Sequence, residues 1–112
     1  APINRELMQW AFENLMKNGL DASKEGGAFQ MDIQLKPVKS GVQIEFKDYG
    51  SGIDKKDWKE VFRPGFSTKK RGWGLGLTLT KRIIEEYHNG SIFISESEKG
   101  KGTTFRVTLP CD

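Results

Sequence analysis

Two stretches of this chain alternate apolar and polar side chains, and each does so twice in succession. Phe29, Met31, Ile33 and Leu35 alternate with Gln30, Asp32, Gln34 and Lys36. After Lys39-Ser40-Gly41, Val42, Ile44 and Phe46 alternate with Gln43, Glu45 and Lys47. The pattern returns at residues 91–97, around Ile92 and Ile94. Across a turn at 98–102, Phe105, Val107 and Leu109 then alternate with Thr104, Arg106 and Thr108. Successive strand side chains point to opposite faces, so these pairs predict antiparallel hairpins with one buried face. An apolar sheet face needs a covering layer, which must come from the rest of the chain.

That layer reads as helical. Residues 4–23 hold good helix formers and no proline, and Gly26-Gly27 stops them. Met8, Ala11, Phe12, Leu15 and Gly19 form one stripe. Asn14, Asn18 and Asp21, spaced by four and three, stack in a row along its border. A short helix is expected after Asp54 as its cap, carrying Trp58, Val61 and Phe62 and ended by Pro64. Residues 74–88 predict a second long helix with Leu75, Leu79, Ile83 and Tyr87 on one face and Ile84 beside them. His88-Asn89-Gly90 closes it. The order helix, hairpin, helix, helix, hairpin predicts an α/β (α+β) two-layer sandwich, its sheet rich in antiparallel pairs and covered by helices on one face.

A chain of 112 residues is expected to form one domain, residues 1–112, with enough core to need no staples. The single cysteine, Cys111, cannot pair internally and is given no role. No apolar run approaches the ~20 residues that span a bilayer. The opening Ala1-Pro2-Ile3-Asn4 has no initiator methionine, which suggests a piece of a longer protein, with any membrane anchor or sensor outside it. The net charge is +3, but residues 55–71 carry Lys55, Lys56, Lys59, Arg63, Lys69, Lys70 and Arg71 against Asp57 and Glu60. That segment is therefore +5 and the remainder −2. Such confinement points to a localised anionic partner more than to a nucleic-acid surface.

Candidate chemistry lies in four places. Gly72-Trp73-Gly74-Leu75-Gly76-Leu77 enters the second helix from a loop, where backbone N–H groups and the helix dipole suit an anion. It is not a Walker loop, since no Gly-Lys-Ser/Thr follows, and alone it reads equally as a tight turn. Asp48, in Asp48-Tyr49-Gly50-Ser51-Gly52-Ile53, ends a buried strand. A carboxylate there can accept from an exocyclic amine, and the glycines leave room for a flat ring. Asn14 and Asn18 are mediocre helix formers in mid-helix, and their neutral oxygens suit a magnesium ion already balanced by phosphate. Phe62 and Phe66, flanking Arg63-Pro64-Gly65, are candidates to anchor a loop at its base. His88 has no metal-spaced neighbours and reads as structural, and no Gly-x-Ser-x-Gly supports a serine hydrolase.

In order and spacing, five segments resemble one family. They are Glu13-Asn14-Leu15-Met16-Lys17-Asn18-Gly19, the Asp48 segment, Phe62-Arg63-Pro64-Gly65-Phe66-Ser67-Thr68-Lys69, the glycine segment, and Gly100-Lys101-Gly102-Thr103-Thr104-Phe105. The chain resembles the catalytic ATP-binding domain of two-component sensor histidine kinases, within the gyrase, Hsp90, histidine kinase and MutL superfamily. The resemblance implies a Bergerat-type fold with a mixed, largely antiparallel sheet. It implies ATP and Mg as ligands, with Asn18 on the metal and Asn14 its partner one turn earlier. Asp48 would hold the adenine amino group, supported by Gly52 and Thr103 alongside Gly50, and Ile53 would line the adenine pocket. Residues 54–73 would be an ATP lid hinged near Phe62 and Phe66, ordered only with nucleotide, with Lys69 and Arg71 near the phosphates. Gly72, Gly74, Leu75, Gly76 and Leu77 would seat the triphosphate. Asn14, Asn18 and Lys69 would serve the transfer itself.

The resemblance also implies partners: a dimerisation and phosphoacceptor domain of the same protein, absent from this chain, a downstream response regulator, and a homodimeric full-length protein. The domain would be cytoplasmic, and no nucleic acid is expected. Two departures stand out. Asp21-Ala22 replaces the Lys-Tyr of many relatives, which puts a carboxylate near the metal without direct ligation. Trp73 is bulky for its position and is expected to pack the lid. Two other activities stay open: a superfamily ATPase of chaperone or mismatch-repair type, and a serine kinase of the anti-sigma-factor type. The hydrolases resemble one another in carrying a glutamate where this chain has Asn14, and Glu13 points about 100° away.

Overall fold

The computed structural model describes residues 4–25, 30–63 and 76–110, the side chains of Asp21, Ala22, Lys24 and Glu25 excepted. Helix α1 (Arg5–Glu25) leads into β1 (Met31–Val38) and β2 (Gly41–Asp48). Two 3-10 turns (Lys55–Asp57 and Glu60–Phe62) follow. Helix α2 (Gly76–Arg82) continues as a π-helical segment (Ile83–Tyr87), and β3 (Ser91–Glu98) and β4 (Gly102–Pro110) complete the fold. The strands form one sheet in the order β1-β2-β4-β3, with every pairing among the described strands antiparallel.

The inner face of the sheet carries Ile44, Phe46, Ile92, Ile94, Phe105, Val107 and Leu109, all buried with Met8 and Leu15 of α1 and Ile84 beyond α2. Ala11 completes the expected α1 stripe, and Phe12 lies half-buried with its ring 5.6 Å from that of Phe46. Each fully buried Leu, Ile or Phe contributes about 1.5–3 kcal/mol, so this interlayer seam is the main source of stability. The outer face is polar. There Asp32, Gln34, Glu45, Lys47, Thr104 and Arg106 line a hollow of about 470 Å³, and Arg106 holds Glu45 through two nitrogens at 2.8 and 3.0 Å.

Four expectations need correction. Ile33 and Leu35 pair across from Phe46 and Ile44 on the inner face, yet are 42% and 67% exposed. Strand β1 is an edge of the sheet, and α1 covers it at Met31, beside Gly19, but leaves Ile33 and Leu35 open. The short helix is two 3-10 turns, and Asp54 stands at the N-cap of the first without a side-chain capping bond. Ile83 and Ile84 are buried as expected, but Leu79 and Tyr87 are exposed, and Thr80 and His88 are buried in their place. The wider π winding accounts for the last turn, because i→i+5 spacing sets His88 rather than Tyr87 beneath Ile83, to whose carbonyl it bonds. Finally, the second helix is α-helical only from Gly76 to Arg82 among the described residues.

Candidate functional site

Asp48 is the last residue of β2 and shares the inner face with Ile44 and Phe46, so its carboxylate is drawn into the interlayer space, 4% exposed. A buried charge needs donors, and two backbone N–H groups are among those that meet it. The backbone N–H groups of Gly50 and Thr103 donate to its Oδ1 at 2.9 and 3.2 Å. The second bond requires β4 to start hard against the end of β2. Gly102, at φ +108°, makes this possible, since any Cβ there would run into the Asp48 carbonyl oxygen. From the helix layer, Gly19 descends onto the same spot, and a Cβ on it would lie 3.4 Å from that of Asp48.

Hydroxyl groups fix the surrounding backbone. Ser23 Oγ, fully buried at the end of α1, donates to Gln30 O at 2.7 Å and accepts from Tyr49 N at 2.8 Å. Ser97 Oγ accepts from Ile53 N at 2.7 Å and lies 2.8 Å from Thr103 Oγ1. Trp58 Nε1 donates to Ile53 O at 2.9 Å, so both backbone polar groups of Ile53 are held while its side chain rests on the core. Ser23, Trp58 and Ser97 were not singled out from the sequence. Ser23 and Ser97 bond to residues 26 and 44 positions away in the chain and Trp58 to one five positions back, partners that no spacing rule marks. On the outer face, the Tyr49 hydroxyl donates to Asp32, and that bond holds the phenol above its usual value of 10.0.

Asn14 and Asn18 lie half-buried along the border of the α1 stripe. Asn14 Nδ2 donates to Thr80 Oγ1 of α2 at 3.0 Å, which turns its carbonyl oxygen away from Thr80. Among the described residues no group of three His, Cys, Asp or Glu could hold a metal. Neutral amide oxygens on this row suit a hard cation that brings its own anionic ligands. Phe62 is buried edge-on against Phe105 at 6.0 Å, and its carbonyl accepts from Thr78 Oγ1 at 2.7 Å. That bond ties the second 3-10 turn to α2, which opens at Gly76, with Leu77 packed against the core.

Asp48, Gly50, Gly52, Ile53 and Thr103 are thus brought together at one end of the sheet, with Gly19 of α1 against Asp48. The hydrogen bonds of Thr80 and Thr78 join α2 to Asn14 and Phe62. Phe66, Lys69, Arg71, Gly72, Trp73, Gly74 and Leu75 lie outside the described residues, as does the side chain of Asp21. His88 is remote in role: 2% exposed, it accepts from Asn4 N at Nε2 (2.9 Å), so Nδ1 carries the proton donated to Ile83 O (2.7 Å).

A family model described as histidine kinase-, DNA gyrase B- and HSP90-like ATPase matches residues 3–112. Sporulation kinase C of Bacillus subtilis (strain 168) is 40% identical over 103 residues, 92% of this chain and 23% of that protein. Sensor histidine kinase WalK of the same strain is 34% identical over 114 residues, covering 96% of this chain and 18% of that protein. The solved catalytic domain of histidine kinase ThkA superposes with a TM-score of 0.82 at 26% identity, over 96% of this chain and 68% of that one. The chain belongs to this ATPase family, and within it is similar to the catalytic domains of sensor histidine kinases. It spans less than a quarter of either curated relative. Among the described residues no helix is long and apolar enough to cross a membrane.

Proposed function

We propose that residues 1–112 bind Mg-ATP and pass its γ-phosphoryl group to a histidine on a separate dimerisation domain of the same protein. That protein would be a homodimer working on the cytoplasmic side, where ATP is supplied, and its phosphohistidine would serve a response regulator. The reading rests chiefly on Asp48, a buried carboxylate with one oxygen engaged by two backbone N–H groups and a glycine of α1 set against it. Such a group selects a flat heterocycle with an exocyclic amine. Gly50, Gly52, Ile53 and Thr103 would frame the ring, Phe62 and Phe66 would anchor a lid of residues 54–73, and Lys69 and the segment from Gly72 to Leu77 would meet the phosphates.

In the transfer, the bond from the γ-phosphorus to the bridging oxygen of ADP breaks and a bond to the incoming imidazole nitrogen forms. The protein's share is positioning and charge neutralisation. Magnesium, held through Asn18 with Asn14 beside it, would offset the phosphate charge. A water-activating ATPase is the weaker reading, because Asn14 offers an amide that donates to Thr80 where a hydrolase would need a base.

Asn18→Ala tests the metal assignment. It should weaken Mg-ATP binding about tenfold or more, as expected for losing a contact to a charged group, and leave binding of ATP in chelator within twofold. Calorimetry in the two buffers decides. Equal losses in both would assign Asn18 to the ring or the fold.

A further inference from the structure

Thr80 is fully buried on α2, one turn beyond Gly76, and its hydroxyl meets the amide nitrogen of Asn14 on α1 at 3.0 Å. An asparagine amide has two chemically opposite ends: an NH2 that only donates and an oxygen that only accepts. Which end faces a ligand is decided by what the other end is bonded to. A helical threonine hydroxyl readily donates to the carbonyl one turn back, which leaves its lone pairs to accept. Facing such an acceptor, Asn14 spends its donor on the protein and presents its oxygen outward. The opposite orientation would aim an NH2 at a bound cation.

We infer that Thr80 is a positioning residue for phosphoryl transfer, fixing the flip state of Asn14 so that its oxygen faces the magnesium-triphosphate. The same bond crosses from α2, whose first turn opens the phosphate end of the site, to the α1 row that carries Asn18. The two ends of the site thereby share one register. This inference rests on the proposed Mg-ATP site but assigns a residue outside it. Its chemical content is polarity: position 80 must supply a hydrogen-bond acceptor, and a methyl of equal size cannot replace it.

The test is a double-mutant cycle on nucleotide affinity, read by calorimetry with magnesium and with chelator. Thr80→Val keeps the volume and removes the acceptor. It should raise the Kd for Mg-ATP about three- to tenfold, the effect of one buried hydrogen bond, and change the Kd in chelator less than twofold. Thr80→Ser should retain wild-type affinity in both buffers. In an Asn14→Ala background, Thr80→Val should have no further magnesium-specific effect, since the amide it orients is gone. If melting curves show that the valine variant does not fold, Thr80→Ala carries the same expectation. Equal losses in both buffers, additivity with Asn14→Ala, or wild-type affinity in the valine variant would each overturn the positioning role. Absence of nucleotide binding by the wild-type chain would instead overturn the Mg-ATP site itself.

Discussion

Replacing Asp48 by asparagine is expected to remove most adenine-nucleotide binding while leaving the fold intact. Oδ1 of the native residue accepts from the N–H groups of Gly50 and Thr103. An asparagine satisfies those two donors with its own oxygen, so the β2–β4 junction closes as before and thermal unfolding should change little. The amide nitrogen then takes the place of the second carboxylate oxygen. An NH2 would face the amino group of adenine, donor against donor. The lost charge-assisted bond is worth about 1.5–3 kcal/mol, or roughly ten- to 150-fold in Kd. Calorimetry checks affinity and circular dichroism checks the fold. Unchanged affinity in a folded variant would remove Asp48 from the site.

The isolated chain should bind ATP yet neither label itself nor turn it over. Its one histidine, His88, is buried with both ring nitrogens committed, to Asn4 N and Ile83 O, so neither is available to attack a phosphorus atom. Asn14 cannot deprotonate water, and a general base is worth roughly 100- to 10,000-fold in rate. With radiolabelled ATP, incubation of the chain alone should leave it unlabelled. Adding a dimerisation domain of the same protein should place an acid-labile label on that domain's histidine. Labelling at His88, or steady phosphate release without a partner, would favour the hydrolase reading.

The sequence made the skeleton of this fold legible and left its hydroxyl network hidden. The stripe of Met8, Ala11 and Leu15 and the strands around Phe46 and Val107 announce themselves, because burial follows the period of the backbone. Alternation names a face but does not say whether that face is covered. Hence Ile33 and Leu35 read as core, although β1 is an edge strand. On α2 and the π segment that continues it, apolar periodicity points to Leu79 and Tyr87, yet both are exposed, for two reasons. The π segment changes the winding, and the buried positions include Thr80 and His88, polar residues that an apolar pattern passes over. In the candidate site, Asp48, Asn14 and Asn18 were visible as polar residues out of place in apolar surroundings. Gly50 and Thr103, which hold Asp48, enter through the family resemblance, whereas the hydroxyls of Ser23, Ser97 and Thr80 stay hidden because their bonds span 26 residues from Ser23 to Tyr49, 44 from Ile53 to Ser97 and 66 from Asn14 to Thr80.

An adenine-nucleotide site organised around Asp48 must tell ATP from GTP when the wild-type chain is titrated with each in magnesium buffer. Guanine carries a carbonyl where adenine carries its amine, so GTP would set an acceptor against the carboxylate. A site built to bond one group rejects an analogue that leaves its buried partner unpaired by large factors. Such a site gives saturable one-to-one ATP binding, with GTP at least about a hundredfold weaker. Equal affinity for the two nucleotides, or no binding of either, would contradict it.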